Sequence, residues 1–598
     1  MLTPDTRTVL LDDLQAPPGY EVDHAVATTF TLDLSAAMLP PFAISGIGGG
    51  SVGRDPIALL QALRRASDKV DIFCQTGSIA IPKSADLVAF LEPMIHQVVP
   101  PRGGLFHPKV WLLRFTAPDA APRFRLLVLS RNLTHDNTWD VAVRLDSGSL
   151  DDSPLETNRP LTDLITWLPE NVLHIAPERR RRLERLADEV AHVHWEHPDH
   201  VRLVIFHVSG IPDQPTTDFW AGGHLVISPF VTEDGLAQVT RGPKHKNPTV
   251  LVSRQETLDA LPPETLQGIN AFTLAADTEL PPAEEEGNDG EERPAGSLNG
   301  LHAKVYVLEP TNRPKGARVL MGSSNATGPA LTRNVEFLVE VAGKRAMLGI
   351  DHVLPLDGSQ RGLRPLVEPY VRQQLPDQTE DKAREHLQRR LREIAAIPHR
   401  VIVKEDTSGT SYSATVSSAA PYPTVDGVTF TIHLLTRRGV VGTVENSPRL
   451  VVAGLAPADI TPCVAVTATD GTYVESTVLL GQLVGAPEGR LDAVIANQIN
   501  DKDKFRRLLL LLLSLGNPAE LAALLADRES GDGTAGFFGT DDSGILELVL
   551  RALASGSSAI TDLDRIVAAV DPGVLPEGFE PFWEEVRQAR ELIVEESA

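Results

Sequence analysis

The chain has 598 residues, 42% of them hydrophobic and 23% charged, with a formal net charge of −25; this is too long for one core and predicts roughly three or four domains. The acidic balance excludes a surface that binds nucleic acid throughout, which would need Lys and Arg against phosphates, but it allows a local basic cleft. The two cysteines, Cys74 and Cys463, lie far apart, which excludes a disulfide framework or a zinc module and predicts a reducing, cytoplasmic setting.

Met1 to Leu11 has no apolar run of the kind a signal peptide needs. Thr28 to Leu34 is expected as a strand. Gly46 to Gly53 is expected as a flexible turn, because no Lys follows to make a phosphate loop. Helices are predicted over Ile57 to Ala66 and Ala85 to Val98, with a strand over Val70 to Gln75 that buries Cys74. Three strands follow, Val110 to Phe115, Phe124 to Leu129 and Asp140 to Leu145. This alternation argues α/β layering. Residues 160–195 are predicted helical. Their arginine run, Arg179 to Arg182, is expected as a solvated face paired to Glu178 and Glu184 rather than as a phosphate-binding helix.

Strand signals return at Val201 to His207, His224 to Ser228, Thr249 to Ser253 and Ala271 to Ala275. A basic loop, Arg241 to Lys246, lies among them. Residues 279–297 are acidic and lack apolar periodicity, so they are expected as a disordered insertion. Strands resume at Lys304 to Leu308, Arg318 to Met321 and Glu336 to Val341. Residues 379–396 form a charged amphipathic helix, 400–485 alternate with period two, and the last hundred are rich in Leu and Ala at helical spacing. The leucine run Leu508 to Leu513 is too short to span a bilayer and is expected as buried helix, so no membrane association is predicted. The expected organisation is a first half over 1–160, a linker helix over 161–200, a second half over 201–375, a connecting helix over 376–399, a β-rich domain over 400–490 and a helical domain over 491–598.

One constellation carries chemistry. His107-Pro108-Lys109 opens a strand, and Ser130-Arg131-Asn132-Leu133-Thr134 closes the next. His302-Ala303-Lys304 opens another, and Ser323-Ser324-Asn325-Ala326-Thr327 closes the one after it. Residues i and i+2 of a strand share a face, so each His projects beside its Lys. His, Lys, Ser and Asn from each copy would surround an anion with donors, and two copies facing each other would place two imidazoles on opposite sides of a phosphate. One neutral imidazole could attack phosphorus while the other, protonated, gives its proton to the leaving oxygen. Lysines and amides would stabilise the non-bridging oxygens. No His/carboxylate cluster has familiar metal-ligand spacing, so neither metal nor cofactor is expected. A single His-x-Lys among 17 histidines would be unremarkable, but the duplicated sentence is not.

This repeated pattern resembles the phospholipase D superfamily, whose signature is His-x-Lys, four residues, Asp, then Gly-Ser-x-Asn. The resemblance covers roughly residues 25–345. The second copy matches better, through His302, Lys304, Gly322, Ser323 and Asn325, with Asn334 and Glu336 resembling the later Asn-x-Glu element. Glu309 stands at the family's Asp position. In the first copy that position is Arg114, Leu129 replaces the glycine, and Asp140 stands where the second copy has Glu336. The Asp is dispensable in some branches, such as the tyrosyl-DNA phosphodiesterase-like one. The resemblance implies two α/β halves related by a pseudo-two-fold axis, with the cleft between them and Glu336 in the catalytic set. It also implies His107 as nucleophile and His302 as acid, a choice that the residues themselves leave open.

The superfamily spans lipases, synthases and nucleases, so the site must decide. A soluble architecture with added β and α domains favours a DNA nuclease, with Arg131 and the loop residues Arg241, Lys244 and Lys246 as candidate substrate contacts. A resemblance in architecture to bacterial proteins that travel with helicases or ATPases suggests such a partner and a role in anti-phage defence. The acidic stretch 279–297 would shield the cleft from casual DNA. The alternatives are a phospholipase or other lipid phosphodiesterase, and a catalytically degenerate clamp for nucleic acid or a partner protein.

Overall fold

The computed structural model describes residues 10–45, 62–243, 249–275, 300–374, 378–499, 501–513, 543–554 and 559–597, apart from 86, 136, 137, 408, 410 and 445–448. The glycine-rich stretch 46–53, the acidic stretch 279–297, Lys244, Lys246 and the first part of the helix expected over 57–66 lie outside these residues. The fold is mixed α/β with several sheets.

The first large sheet contains β1 (Glu21–Thr29), β2 (Val70–Gln75), β3 (Ile95–Val98), β4 (Val110–Ala117), β5 (Ala120–Leu129), β6 (Ala142–Leu150) and β7 (Val193–Trp195). Its order is β3-β2-β1-β4-β5-β6-β7. The second contains β8 (Val201–Ser209), β9 (Gly223–Ile227), β10 (Thr249–Val252), β11 (Ile269–Leu274), β12 (Val305–Glu309), β13 (Gly316–Gly322), β14 (Glu336–Lys344) and β15 (Val367–Pro369). Its order is β8-β14-β13-β12-β9-β10-β11-β15. The two sheets share one plan. A parallel trio, β1-β2-β3 or β9-β10-β11, is followed by an antiparallel trio, β4-β5-β6 or β12-β13-β14. The central strands β2, β9 and β12 are buried at every residue, as near-continuous apolar runs covered on both faces should be.

One hydrophobic core joins the sheets. It takes Phe73, Leu112 and Leu126 from the first, Leu225, Val305 and Val339 from the second, and Leu161, Leu164, Leu183 and Leu186 from helices α1 (Arg159–Trp167) and α2 (Pro177–Val190). A shared close-packed core fixes one sheet against the other, which a site assembled across both requires. The other face of the first sheet continues into C-terminal helices through Trp111, Leu113, Leu508, Leu509 and Trp583. The leucine run is thus a buried helix, Lys502–Leu513. Residues 399–484 form two four-stranded sheets, packed on helix Thr379–Ala395. Among the described residues no helix is long and apolar enough to cross a membrane.

Three local expectations are corrected. The strand expected from Thr28 begins at Glu21, and Leu32–Asp33 is a separate short strand. The helix expected over Ala85 to Val98 is two 3-10 turns followed by strand β3. Pro93 interrupts helical bonding, and β3 is claimed by pairing with β2. The arginine run is solvated only in part, with Arg181 exposed, and its partners are not Glu178 and Glu184. Arg179 is buried, and its Nη1 donates to Asp71 Oδ1 at 2.6 Å; Asp71 also pairs with His24 and His96 at 2.8 Å each. Arg180 pairs with Glu170, and Arg182 donates to the Asp68 carbonyl.

Asp71 is fully buried. Burial opposes its charge, but His24, His96 and Arg179 together outweigh that and hold the carboxyl well below its usual range. Arg179→Ala would leave this carboxylate without its permanent cation. The expected loss is about 3–5 kcal/mol of unfolding free energy, read from the midpoint of urea unfolding. An exposed control, Arg181→Ala, should fall within about 0.5 kcal/mol of the parent.

Candidate active site

Both His-x-Lys motifs stand at the head of the first strand of the antiparallel trio of their sheet, β4 or β12, and both Ser-x-Asn motifs follow the next strand, β5 or β13. Main-chain bonds tie each pair together: Leu129 N donates to Lys109 O at 2.8 Å, and Gly322 N to Lys304 O at 3.3 Å. At Gly322 (φ +152°) a Cβ would lie 2.3 Å from the Phe337 carbonyl, so this close approach of β13 to β14 needs glycine.

The halves meet reciprocally. The segment before His107 bridges the segment before Glu336 through Phe106 and Val335, and the segment before His302 bridges the segment before Asp140 through Leu301 and Trp139. His107 N donates to Val335 O, and His302 N to Trp139 O, at 2.9 Å each. Each histidine therefore meets a carboxylate of the opposite half. His107 Nδ1 lies 2.9 Å from Glu336 Oε2, and His302 Nδ1 lies 3.2 Å from Asp140 Oδ1. A carboxylate that accepts from Nδ1–H fixes the tautomer and leaves Nε2 for chemistry.

The serines have a different place from the one expected. Ser130 and Ser323 are fully buried and donate to the carboxylates rather than surrounding an anion. Ser130 Oγ donates to Asp140 Oδ1 at 3.1 Å, and Ser323 Oγ donates to Glu336 Oε2. Each Oγ in turn accepts a main-chain N–H, from Val141 at 2.9 Å and from Phe337 at 3.0 Å. They position the groups that position the histidines. Ser130→Ala and Ser323→Ala are expected to lower kcat about 10- to 100-fold with KM nearly unchanged, which steady-state kinetics would show.

The lysines point inward and are almost fully buried. Lys109 Nζ donates to His107 O at 2.9 Å, and Lys304 Nζ to His302 O at 2.6 Å. Asn132 and Asn325 each keep a buried Oδ1 with no hydrogen-bond partner, a matched pair of polar groups without a protein ligand. Burial pushes His107 down to about 4 and Lys109 down to about 7. His302 is lowered by burial against the pull of Asp140, and Lys304 is lowered well below its usual value by burial and by the charge of Lys109. Burial opposes the charges on Glu336 and Asp140, but their histidines and neighbouring donors outweigh it and hold both carboxyls low. The site thus sets two imidazoles, whose protonation burial discourages, beside two carboxylates and two destabilised ammonium groups; an anionic phosphate entering it would favour the protonated form of His302 and the charged lysines.

The other sequence candidates are dispersed. Arg131 lies at the edge of the site, bonded to Thr134 O at 3.1 Å and close enough for its charge to act on Asp140. Arg241 sits at the far end of β9, where its carbonyl accepts from Ala221 N at 3.1 Å, whereas the opposite end of that strand, Ile227, pairs with Val305 beside the His302 motif. Arg114 and Glu309, which occupy the Asp position of the two copies, are also away from the site. Arg114 pairs with Glu189 and Asp23, and Glu309 pairs with Arg345 and accepts from Ile350 N.

Sequence reasoning missed Arg254. Its Nε donates to the Leu301 carbonyl at 2.8 Å, its guanidinium lies 4.9 Å from the centre of the Phe230 ring, and its charge acts on Asp140 and Lys304. Phe230 is 47% exposed. In the other half, Phe30 packs against His107 with ring centroids 5.4 Å apart. Both rings follow the first strand of the parallel trio of their sheet, β1 or β9, the only pattern by which the sequence could have suggested them.

No family model matches the chain, and no curated protein matches it. Among solved structures it is similar to a crystal structure of a yeast tyrosyl-DNA phosphodiesterase 1 mutant. The match has 12% identity and a TM-score of 0.36, and covers 60% of this chain and 92% of that one, a likeness too slight to carry an argument about chemistry.

Proposed function

We propose that the chain is a phosphodiesterase of the phospholipase D type that cleaves nucleic acid, with DNA as substrate, in a cleft between two α/β halves related by pseudo-two-fold symmetry. The observation that carries this reading is the reciprocal pairing of His107 with Glu336 and of His302 with Asp140, with a buried lysine beside each imidazole. His107 is the nucleophile, because its lowered pKa keeps Nε2 unprotonated. Its lone pair attacks phosphorus, the bond to the leaving oxygen breaks, and His302 Nε2–H supplies that oxygen with a proton. His302 then takes a proton from water as the water oxygen attacks phosphorus. The P–N bond breaks and its electron pair returns to His107. Lys109, Lys304 and the Nδ2 amides of Asn132 and Asn325 donate to the non-bridging oxygens.

Phe230 and Arg254 favour nucleic acid over lipid. An exposed ring carrying a guanidinium beside the cleft suits a stacked base and its phosphate. Placing Arg114 outside the site favours catalysis over a degenerate clamp, since the first half then lacks no site group. A helicase or ATPase partner, and a role in anti-phage defence, would engage the surfaces of residues 400–598 and are tested by co-purification.

The assay is purified full-length protein in EDTA with supercoiled plasmid, single-stranded DNA or phosphatidylcholine vesicles. DNA cleavage that persists in EDTA and disappears in His107→Ala and His302→Ala is the expected result. Turnover of lipid alone would overturn the nucleic-acid assignment, and DNA cleavage retained in both variants would overturn the site.

A further inference from the structure

A second cluster of cations lies apart from the histidines. His24 of β1 and Arg114 of β4 are register partners, several strand residues beyond Val110 and about 20 Å from the His107 motif at the usual strand rise. Helix α2 covers them and adds Arg182 and Arg185, three apart on one helical face. Together with Asp23, Leu186 and Glu189 they line a half-open cavity of about 280 Å³. We propose that this cavity is a binding site for a phosphate group, free or carried on a small ester.

The charges within the cavity decide its sign. A single side chain, Arg114, engages both carboxylates: its Nε and Nη2 donate to Glu189 at 2.6 and 3.0 Å, and its Nη1 donates to Asp23 at 2.8 Å. That leaves Arg182 and Arg185, so the walls sum to one net positive charge. Two nitrogens then await a partner. Arg182 Nη1 is taken by the Asp68 carbonyl, but its Nε is buried with no hydrogen-bond partner. His24 is 1% exposed, its Nε2 lies 2.8 Å from Asp71, and its Nδ1 is buried without a partner. Buried polar groups are normally satisfied, and an unsatisfied pair lining a cationic cavity marks a missing ligand.

The chemistry of that ligand follows from His24. With Nε2–H bonded to Asp71, Nδ1 accepts when the ring is neutral and donates when it is protonated. A phosphate or phosphate monoester can meet either state, because it carries both a P–OH and acceptor oxygens. Sulfate and carboxylate meet only the second. Guanidinium groups match the tetrahedral oxyanion geometrically. The lining has no Phe, Tyr or Trp, and its one aromatic ring, His24, is buried and bonded through its edge to Asp71 rather than offered as an open face, so nothing there holds a nucleobase by stacking.

The test is isothermal titration of the full-length protein with orthophosphate, AMP and sulfate. Variants Arg185→Glu, Arg182→Gln and Lys304→Ala run in parallel. Arg185 is exposed, so Arg185→Glu spares the fold. The expected result is saturable orthophosphate binding, weaker for sulfate, that falls at least tenfold in Arg185→Glu and Arg182→Gln and persists in Lys304→Ala. Tighter AMP than orthophosphate would identify an ester as the ligand, and the reverse a free anion. Binding unchanged in both arginine variants, binding lost in Lys304→Ala, or no saturable heat with any of the three probes would overturn the proposal. Because the Lys304 arm separates this cavity from the histidine cleft, either site can fail without the other.

Discussion

His302→Ala, given a substrate whose leaving group needs no proton, is expected to stop half-way and hold the nucleotide covalently on His107. Thymidine 5′-monophosphate p-nitrophenyl ester is such a substrate, because p-nitrophenolate departs without general-acid help. Attack by His107 Nε2 therefore still releases the coloured phenolate in a single burst. The second step still requires a base to activate water, and in His302→Ala that base is gone. An adduct of one thymidylyl group should accumulate and appear by intact mass, labile to acid as a P–N bond is. His107→Ala should show neither burst nor adduct. On ordinary DNA, His107→Ala is expected to lower kcat at least about 10⁴-fold, and His302→Ala about 10²- to 10⁴-fold. The geometry behind the asymmetry is the tighter carboxylate contact and deeper burial of His107, 12% exposed against 18% for His302. An adduct in His107→Ala, or a burst with no adduct in His302→Ala, would reverse or remove the assigned roles.

Exchanging the carboxylates should alter the histidine of the opposite half. In the parent, kcat/KM is expected to follow a bell on the acid side of the usual histidine value of about 6.5. Its rising limb lies near 4, where His107 loses its proton and becomes nucleophilic. Its falling limb lies below 6.5, where His302, lowered by burial, ceases to be an acid. Loss of charge on Lys109, pushed down to about 7, deepens that fall. The limbs are macroscopic properties of the coupled groups. A carboxylate beside an imidazole raises its pKa, so removing the carboxylate lowers it further. Asp140→Asn should therefore move the falling limb to lower pH, and Glu336→Gln should move the rising limb to lower pH. Each should lower kcat about 10²- to 10⁴-fold by loosening the tautomer. A purely structural role would lower the amplitude and leave both limbs in place. Limbs that stay fixed, or that move in the opposite assignment, would refute the cross-pairing.

The parts of this site that the sequence determined are those with a local period. Short apolar runs marked β2, β4, β5, β8, β9, β12, β13 and β14 within a few residues of their ends, but not β1. The strand period of two placed Lys109 with His107 and Lys304 with His302. Repetition of His-x-Lys and Ser-x-Asn singled out the eight polar residues in two copies.

What the tertiary structure alone decided is which of these groups touch. His107 meets a carboxylate 229 positions away and His302 one 162 positions away, separations at which no periodicity survives. The serines read as anion ligands became supports for those carboxylates, because each Oγ is fixed by the first main-chain N–H after the acid. Arg179 reads as a solvated helical charge until the buried Asp71 arrives from β2, and Arg114 reads as a damaged motif until helix α2 brings Glu189, Arg182 and Arg185 against it. A local pattern reports which face a side chain takes. Only the packing of two sheets and the helices between them reports what that face meets, since burial and charge pairing belong to the neighbours and not to the segment.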